Sequence, residues 1–465
     1  MNPAQHRRPP LPAGPYLVVG LARSGQAIAW MLAERGARVR GCDAARPAGA
    51  EGLAQAGVEV SLDVAGTDLL DGIATVVKSP GVPQEAEVIR VARERGLEVT
   101  GELELAWRSL PNRFVAVTGT NGKTTTTELI GHLFRVAGRP VSVAGNVGTP
   151  LASLAGRVDS KATVVCECSS FQLEDASAFA PEVAVFLNLE PDHLDRHATL
   201  ETYLGAKLRI FANQRPGDLS IYNGDEPVLE DVELGGEGRR VRFCPRLRRR
   251  PAGVPPGAEA EGCAMTLESG EIRWRCETLL ATSQLRLLGS HNVENAMAAA
   301  TVALEEGLGP RRVAAALRTF PGVPHRLERL RELGGVRYVN DSKATNVASA
   351  LAGIEAFDGG LHLILGGSVK GESFERLADP VGERCLACYL IGEAAERLAE
   401  DLTSAARAGV VIQDCGTLER AVEQAAARAR PGEIVLLSPA CASFDQFEDF
   451  EQRGERFRAL VEALE

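Results

Sequence analysis

Lysine is almost missing from this chain. Of 51 basic residues only six are lysine, at positions 78, 123, 161, 207, 343 and 370, and the rest are arginine. A chain so biased keeps an amine where guanidinium cannot serve, as a compact point charge or a nucleophile. Lys123, Lys207, Lys343 and Lys370 stand in Gly-rich or polar surroundings and are marked on that ground; Lys78 and Lys161 are not. Long apolar runs are missing too. None nears the ~18–20 residues that cross a bilayer, which excludes a spanning helix and a membrane partner. Arg7 and Arg8 before Leu11–Leu21 do not make a signal peptide, because Tyr16–Gly25 parses as strand plus glycine turn. A basic surplus is absent: the net charge of −11 argues against nucleic acid as a partner. The ten cysteines show no disulfide framework and no pair of zinc-spaced pairs. Cys166 and Cys168 fall in one strand-like run and Cys385 and Cys388 in another. The expectation is buried thiols in a reducing compartment, hence a cytoplasmic protein.

At 465 residues the chain exceeds one hydrophobic core. Strand-like apolar runs alternate with helical segments throughout, which predicts an α/β protein with parallel sheets. Three blocks emerge: a Rossmann-like 1–110, a central 111–320, and a Rossmann-like 321–465. The first opens with strand Tyr16–Val19, the turn Gly20–Gly25, a helix from Gln26 and a second strand reaching Asp43. Ala22 replaces the middle glycine of G-x-G-x-x-G, so the motif is incomplete. The third block carries strands near 336–340, 361–365, 387–391 and 433–437. The Pro-, Gly- and Arg-rich stretch 245–262 reads as a surface excursion.

The central block holds the strongest signal. Phe114–Val117 reads as a buried strand, Gly119-Thr120-Asn121-Gly122 as a turn, and Lys123-Thr124-Thr125 as the opening of a helix. That order cradles phosphates: backbone N–H groups and a helix N-terminus favour anions, Lys123 reaches the β/γ-phosphates, and the Thr124 hydroxyl takes Mg²⁺. Val117 stands where the usual pattern has its first glycine. Glu167 falls near the end of another strand, placed to hold a cation beside that loop. His193 and His197 are spaced i,i+4; His193, nearer the preceding strand, is the functional candidate. Lys207 edges an apolar helical stripe with Leu204, Leu208 and Phe211. An amine beside Mg²⁺ is electrostatically unfavourable unless CO₂ converts it to a carbamate. Asn292 and Asn295 stand one helical turn apart, suited to a base edge, a phosphate site or simple capping.

These pieces fall in one order: Gly-Thr-Asn-Gly-Lys-Thr-Thr from 119, Glu-Cys-Ser-Ser-Phe-Gln-Leu from 167, and Asp-His-Leu-Asp-Arg from 192. Ala-Lys-Leu-Arg-Ile follows from 206, Gly-Ser-His-Asn from 289, and Pro-His-Arg from 324. Asn-Asp-Ser-Lys-Ala-Thr-Asn from 340 and Ser-Pro-Ala-Cys-Ala-Ser-Phe-Asp-Gln-Phe from 438 complete the set. With them the chain resembles the Mur ligases along nearly its full length. The last motif and the first block favour the branch that adds D-glutamate to UDP-N-acetylmuramoyl-L-alanine over folylpolyglutamate synthetases. No Asp-Asn-Pro-Arg of the diaminopimelate- or lysine-adding members is present.

The resemblance implies an ATP-dependent amide ligase of peptidoglycan synthesis, working as a monomer through an acyl phosphate. It implies an ATP site of Gly119, Thr120, Asn121, Gly122, Lys123, Thr124, Thr125, Asn292, Asn295, Arg326, Asp341 and Lys343. It implies two Mg²⁺ on Thr124, Glu167, His193 and carbamylated Lys207. Arg23, Ser24, Asp43 and Asn146 match the UDP-substrate site, although Ala44 lacks the hydroxyl that can follow the acid there. Thr345, Lys370, Ser443, Phe444 and Phe450 match the D-glutamate pocket. A nicotinamide-linked dehydrogenase would explain the first block but not Lys123 and Thr124. A non-catalytic nucleotide switch would explain the phosphate loop but not Lys370 and Ser438–Phe447.

Overall fold

Among the described residues, twenty strands gather into three sheets, one in each block of the sequence. The computed structural model describes residues 8–229, 232–246, 262–369 and 373–464. Lys370 and residues 247–261, the bulk of the expected surface excursion, lie outside the described residues.

The first sheet comprises β1 (Tyr16–Val19), β2 (Val39–Asp43), β3 (Glu59–Leu62), β4 (Thr75–Lys78) and β5 (Glu98–Gly101). Its order is β3-β2-β1-β4-β5, all parallel. The strand order reverses between β1 and β4, and a crevice opens beyond the carboxyl ends of strands at such a point. Helix Arg23–Glu34 follows β1 with Ala22 at its N-cap and no side-chain cap.

The second sheet runs β14-β13-β12-β11-β10-β9-β6-β8-β7. Its parallel part holds β6 (Phe114–Thr118), β7 (Val141–Gly145), β8 (Thr163–Glu167), β9 (Val183–Phe186), β10 (Leu219–Asn223), β11 (Arg239–Cys244) and β12 (Cys263–Glu268). An antiparallel edge adds β13 (Glu271–Trp274) and β14 (Glu277–Ala281). Every residue of β6 and β9 is buried, the continuous apolar run expected of a strand covered on both faces. β6 lies between β8 and β9, so the loop after it, the acid ending β8 and the residues after β9 share one edge of the sheet.

The third sheet has β15 (Glu328–Leu333), β16 (Val336–Asn340), β17 (Leu361–Gly366), β18 (Cys385–Ile391), β19 (Val411–Gly416) and β20 (Ile434–Leu437). The order is β15-β16-β20-β17-β18-β19, parallel except for β15. The expected strands of the third block are β16, β17, β18 and β20.

The chain divides into two compact bodies. One comprises residues up to Thr282 with Asn295–Leu317 and holds the first two sheets; the other comprises Ser283–Glu294 with Arg318 onward and holds the third.

One expectation is overturned. Cys244 and Cys263 form a disulfide, their Cα atoms 6.1 Å apart. They lie on neighbouring parallel strands, where Cys244 stands opposite Thr266 and Cys263 opposite Arg242. Spacing along the chain did not reveal that adjacency. Seven other cysteines are buried thiols, as expected, and Cys276 is exposed in the turn before β14.

Gly25 fixes the geometry of the first glycine turn. A Cβ there would stand 1.8 Å from the Gly20 carbonyl oxygen and 2.7 Å from Ser79 Oγ. Gly25→Ala should therefore lower stability by about 1–3 kcal/mol or more, as overpacking does. Differential scanning calorimetry checks this, and an unchanged Tm would show that the turn relaxes freely.

Candidate active site

The phosphate loop is built by backbone conformation. Gly119 has φ 154° and Gly122 has φ 81°. Added side chains would also collide: a Cβ on Gly122 would lie 2.2 Å from Asn295 Oδ1. Asn295 in turn accepts a hydrogen bond from Thr126 Oγ1 at 3.2 Å, which ties its helix, Ser290–Glu305, to the loop. Asn188, just past β9, holds the other side. Its Oδ1 accepts the N–H groups of Thr120 (3.1 Å) and Asn121 (2.9 Å). The sequence reading passed over Asn188 as the start of a histidine-bearing run; an Asn directly after a buried strand was the available signal.

Two lysines converge on the loop. Lys123 Nζ donates to the carbonyls of Gly119 (2.9 Å) and Thr120 (2.8 Å). Lys207, on helix Leu200–Ala212, is 1% exposed and donates to the same Gly119 carbonyl at 2.7 Å. Its Nζ lies 4.4 Å from the centre of the Tyr203 ring. Burial first, and the Lys123 charge second, push the Lys207 amine well below the ordinary lysine range.

Glu167 ends β8 and is 3% exposed. Its Oε2 accepts from Thr124 Oγ1 at 2.7 Å and its Oε1 from Asn146 Nδ2 at 3.2 Å. Among the described residues no three His, Cys, Asp or Glu side chains converge. The Thr124 hydroxyl and Glu167 carboxylate are adjacent hard oxygens. Such a pair suits Mg²⁺, which keeps its waters and takes substrate phosphate oxygens, better than a metal needing an all-protein cage.

The i,i+4 histidines are not a matched pair. His193 precedes helix Leu194–His197 with φ 54°, beside the Asp192 carboxylate (3.6 Å) and the Phe171 ring (4.9 Å). His197 is buried, stacked on Phe171, with Nε2 2.9 Å from Ser170 Oγ. That is structural packing.

A cavity of about 760 Å³ lies at the reversal point of the first sheet. Its walls include Arg23, Ser24, Asp43 and, from the second sheet, Asn146. Asp43 Oδ2 accepts the Leu21 N–H at 2.6 Å and Oδ1 the Ala45 N–H at 2.8 Å, so the acid shapes the wall. Asn146 lines this cavity and touches Glu167, which joins the cavity wall to the loop after β6.

In the second body Asn292 donates Nδ2 to the Leu288 carbonyl at 2.7 Å. The Arg326 charge acts on His291 and Asp341. His291 is held neutral, its pKa lowered to about 4 chiefly by burial. Lys343 Nζ sits 5.2 Å from the Phe450 ring centre. Thr345 N–H closes a turn onto the Lys343 carbonyl at 3.0 Å. Ser443 Oγ is buried with no hydrogen-bond partner among the described residues. Phe444 is 72% exposed. Sequence reasoning missed Arg453, which is buried and bonds no carboxylate among the described residues. It donates to the carbonyls of Ser342 (2.8 Å), Cys441 (3.1 Å), Ala442 (3.3 Å) and Gly366 (3.4 Å). One guanidinium thus gathers the loops after β16, β17 and β20, and among so many arginines nothing set it apart.

Comparison with known proteins agrees with this architecture. Residues 15–101 match the Mur ligase MurD-like N-terminal domain, 117–303 the Mur ligase middle domain, and 325–441 the Mur ligase glutamate ligase domain. The chain belongs to the Mur ligase family. It is 42% identical to the UDP-N-acetylmuramoylalanine–D-glutamate ligase of Pelotomaculum thermopropionicum, over 96% of this chain and 97% of that one. It is 44% identical to the same-named ligase of Geobacter metallireducens, with 96% and 97% covered. Among solved structures, Thermotoga maritima UDP-N-acetylmuramate–alanine ligase MurC superposes with TM-score 0.61 at 18% identity, over 96% of this chain and 99% of that chain. Thermotoga maritima MurF ligase, solved with ADP, gives 0.60 at 20% identity over 91% and 95%. The three-sheet α/β architecture is therefore the Mur ligase fold.

Asp341 supplies a test of the second body. It is fully enclosed, and burial raises its carboxyl from 3.8 to about 7 against the pull of Arg326, Ser438 and the Leu327 N–H. The folded form therefore keeps a proton that the unfolded chain releases, and this group's contribution to stability falls as pH rises between those values. Asp341→Asn should lose less stability than the parent between about pH 4.5 and about pH 7.5. Urea denaturation at both pH values checks it, and equal losses would show a normal carboxyl.

Proposed function

We propose that this Mur ligase joins D-glutamate to UDP-N-acetylmuramoyl-L-alanine with hydrolysis of ATP, in the cytoplasmic assembly of peptidoglycan precursors. One observation carries the reading: Asn146 lines the cavity of the first sheet while bonding Glu167, which in turn holds Thr124 of the phosphate loop. A sugar nucleotide seated in that cavity has a path for its carboxylate toward a terminal phosphate. The names of relatives that match nearly the whole chain supply the particular substrates.

A carboxylate is a poor electrophile. Its oxygen attacks the γ-phosphorus, the bond to ADP breaks, and the acyl phosphate carries a leaving group. The D-glutamate amine then attacks the acyl carbon, phosphate departs, and the amine loses a proton. Lys123 and the loop amides hold the transferring phosphoryl group. Mg²⁺ on Thr124 and Glu167 would offset the repulsion between γ-phosphate and carboxylate. In the second body Asn292, Arg326, Asp341 and Lys343 are assigned to the nucleotide. Thr345, Ser443, Phe444, Phe450 and Lys370 are assigned to D-glutamate, where an ammonium would pair with a carboxylate. The three blocks 1–110, 111–320 and 321–465 take the UDP-sugar, ATP and D-glutamate in that order, in a monomer.

Lys207 is assigned as a carbamate, with His193 at a second Mg²⁺. Burial and the Lys123 charge lower the amine pKa, which favours the uncharged, nucleophilic form. Its lone pair adds to CO₂, a proton leaves, and the buried amine becomes an anionic oxygen ligand.

Phosphate release should require ATP, UDP-N-acetylmuramoyl-L-alanine and D-glutamate together; release without the UDP-sugar would refute the assignment. Lys123→Ala should abolish turnover. Lys207→Arg should be nearly inactive, and Lys207→Ala should recover partly with a small added carboxylic acid. Full activity of Lys207→Arg in CO₂-depleted buffer would rule the carbamate out.

A further inference from the structure

A closed cluster of four charged side chains joins the first sheet to the second. Lys78, last residue of β4, is fully buried; its Nζ lies 2.8 Å from Asp175 Oδ2 and 3.4 Å from Glu174 Oε1. Arg196, in helix Leu194–His197, donates Nη2 to Glu174 Oε1 at 2.8 Å, and its guanidinium lies 5.0 Å from the Phe171 ring centre. Side-chain exposures are 0%, 5%, 15% and 15% for Lys78, Asp175, Glu174 and Arg196. Gln84 adds a bond to Asp175 Oδ1 at 2.7 Å. Two positive and two negative groups balance, so the cluster is buried without net charge.

Both cations also share one acceptor. The Val82 carbonyl accepts from Lys78 Nζ at 3.0 Å and from Arg196 Nη2 at 2.8 Å. Val82 belongs to the segment Ser79–Pro83, which forms one wall of the 760 Å³ cavity. Ser79 Oγ reaches across to the Gly20 carbonyl at 2.6 Å, so this segment clasps the glycine turn on the opposite wall. Arg196, for its part, is bonded through its N–H to the His193 carbonyl at 3.0 Å. The Thr202 hydroxyl donates to the His197 carbonyl, which links the short helix to the one bearing Lys207. A movement of the cavity wall cannot leave Arg196 in place without stranding a buried carbonyl or a buried charge, either of which is costly.

We infer that Arg196 is a positioning residue that couples the sugar-nucleotide cavity to the phosphate loop, so that occupancy of one tightens binding at the other. This rests on the function proposed above for the two sites. Linkage makes the effect reciprocal: each ligand raises the affinity of the other by the same factor. The guanidinium is suited to the task because one nitrogen, Nη2, donates to a carbonyl and a carboxylate at once while the planar group lies against the Phe171 ring.

Isothermal titration of the full chain tests this. The Kd of Mg²⁺ with a non-hydrolysable ATP analogue is measured alone and with saturating UDP-N-acetylmuramoyl-L-alanine, without D-glutamate. The parent should show tightening of about five-fold or more, the lower end of ordinary coupling. Arg196→Gln should bind each ligand alone as the parent does but lose the enhancement. Arg196→Lys, which keeps the charge but loses the planar group against Phe171, should recover part of it. Glu174→Gln keeps the shape of the cluster and carries the same expectation should Arg196→Gln unfold. Retained enhancement in the folded Gln variant, or none in a parent that binds both ligands, would overturn the inference alone. A parent that binds no UDP-sugar would overturn it together with the proposed function.

Discussion

One backbone oxygen organises the central site. The Gly119 carbonyl accepts from both Lys123 and Lys207, so two amines meet at a single dipole with Lys207 wholly enclosed. Two ammonium charges at that distance repel, and burial amplifies the repulsion. The site has two ways to settle it: attract anionic phosphate, or discharge Lys207. Both serve phosphoryl transfer. The surrounding structure keeps the carbonyl where the conflict arises. Gly119 and Gly122 take positive φ, Asn188 fixes the loop amides from one side and Asn295 packs against Gly122 from the other.

The same economy of contacts recurs at Glu167. One carboxylate bonds the glycine loop through Thr124 and the wall of the first-sheet cavity through Asn146. Neither neighbour is close to it in sequence. They meet because β7 and β8 are parallel neighbours whose ends lie level, Gly145 opposite Glu167, and because β6 feeds its loop over the same edge. In a doubly wound sheet, chemistry collects where strands end, and this register brings three separate motifs to that edge.

Features written in contiguous residues were legible without coordinates. The strand, glycine turn, Lys123 and Thr124 lie within one short stretch, and the buried strands of the third sheet declare themselves as apolar runs. Features that depend on distant partners were not. Lys78 carried no local mark and the scarcity of lysine did not single it out, since its counter-ions Glu174 and Asp175 are remote from it in sequence. Arg453 was hidden for the opposite reason, one arginine among many. His193 and His197 are alike by spacing and share Phe171 and Tyr203 as neighbours, but His197 is buried while His193, the candidate marked by its nearness to the strand, is exposed with a left-handed backbone. The Cys244–Cys263 pairing required knowing that β11 and β12 are neighbours.

The distribution of thiols has a practical side. Seven cysteines are enclosed, and burial lifts the Cys42 thiol to about 12, far from the reactive thiolate. Cys276 alone among the described thiols faces solvent, in the turn between β13 and β14 on the antiparallel edge of the second sheet. A maleimide or iodoacetamide probe would therefore attach at one defined point of the unmutated protein. A fluorophore there sits apart from the phosphate loop and the first-sheet cavity in the strand order, which makes the native sequence its own labelled reporter.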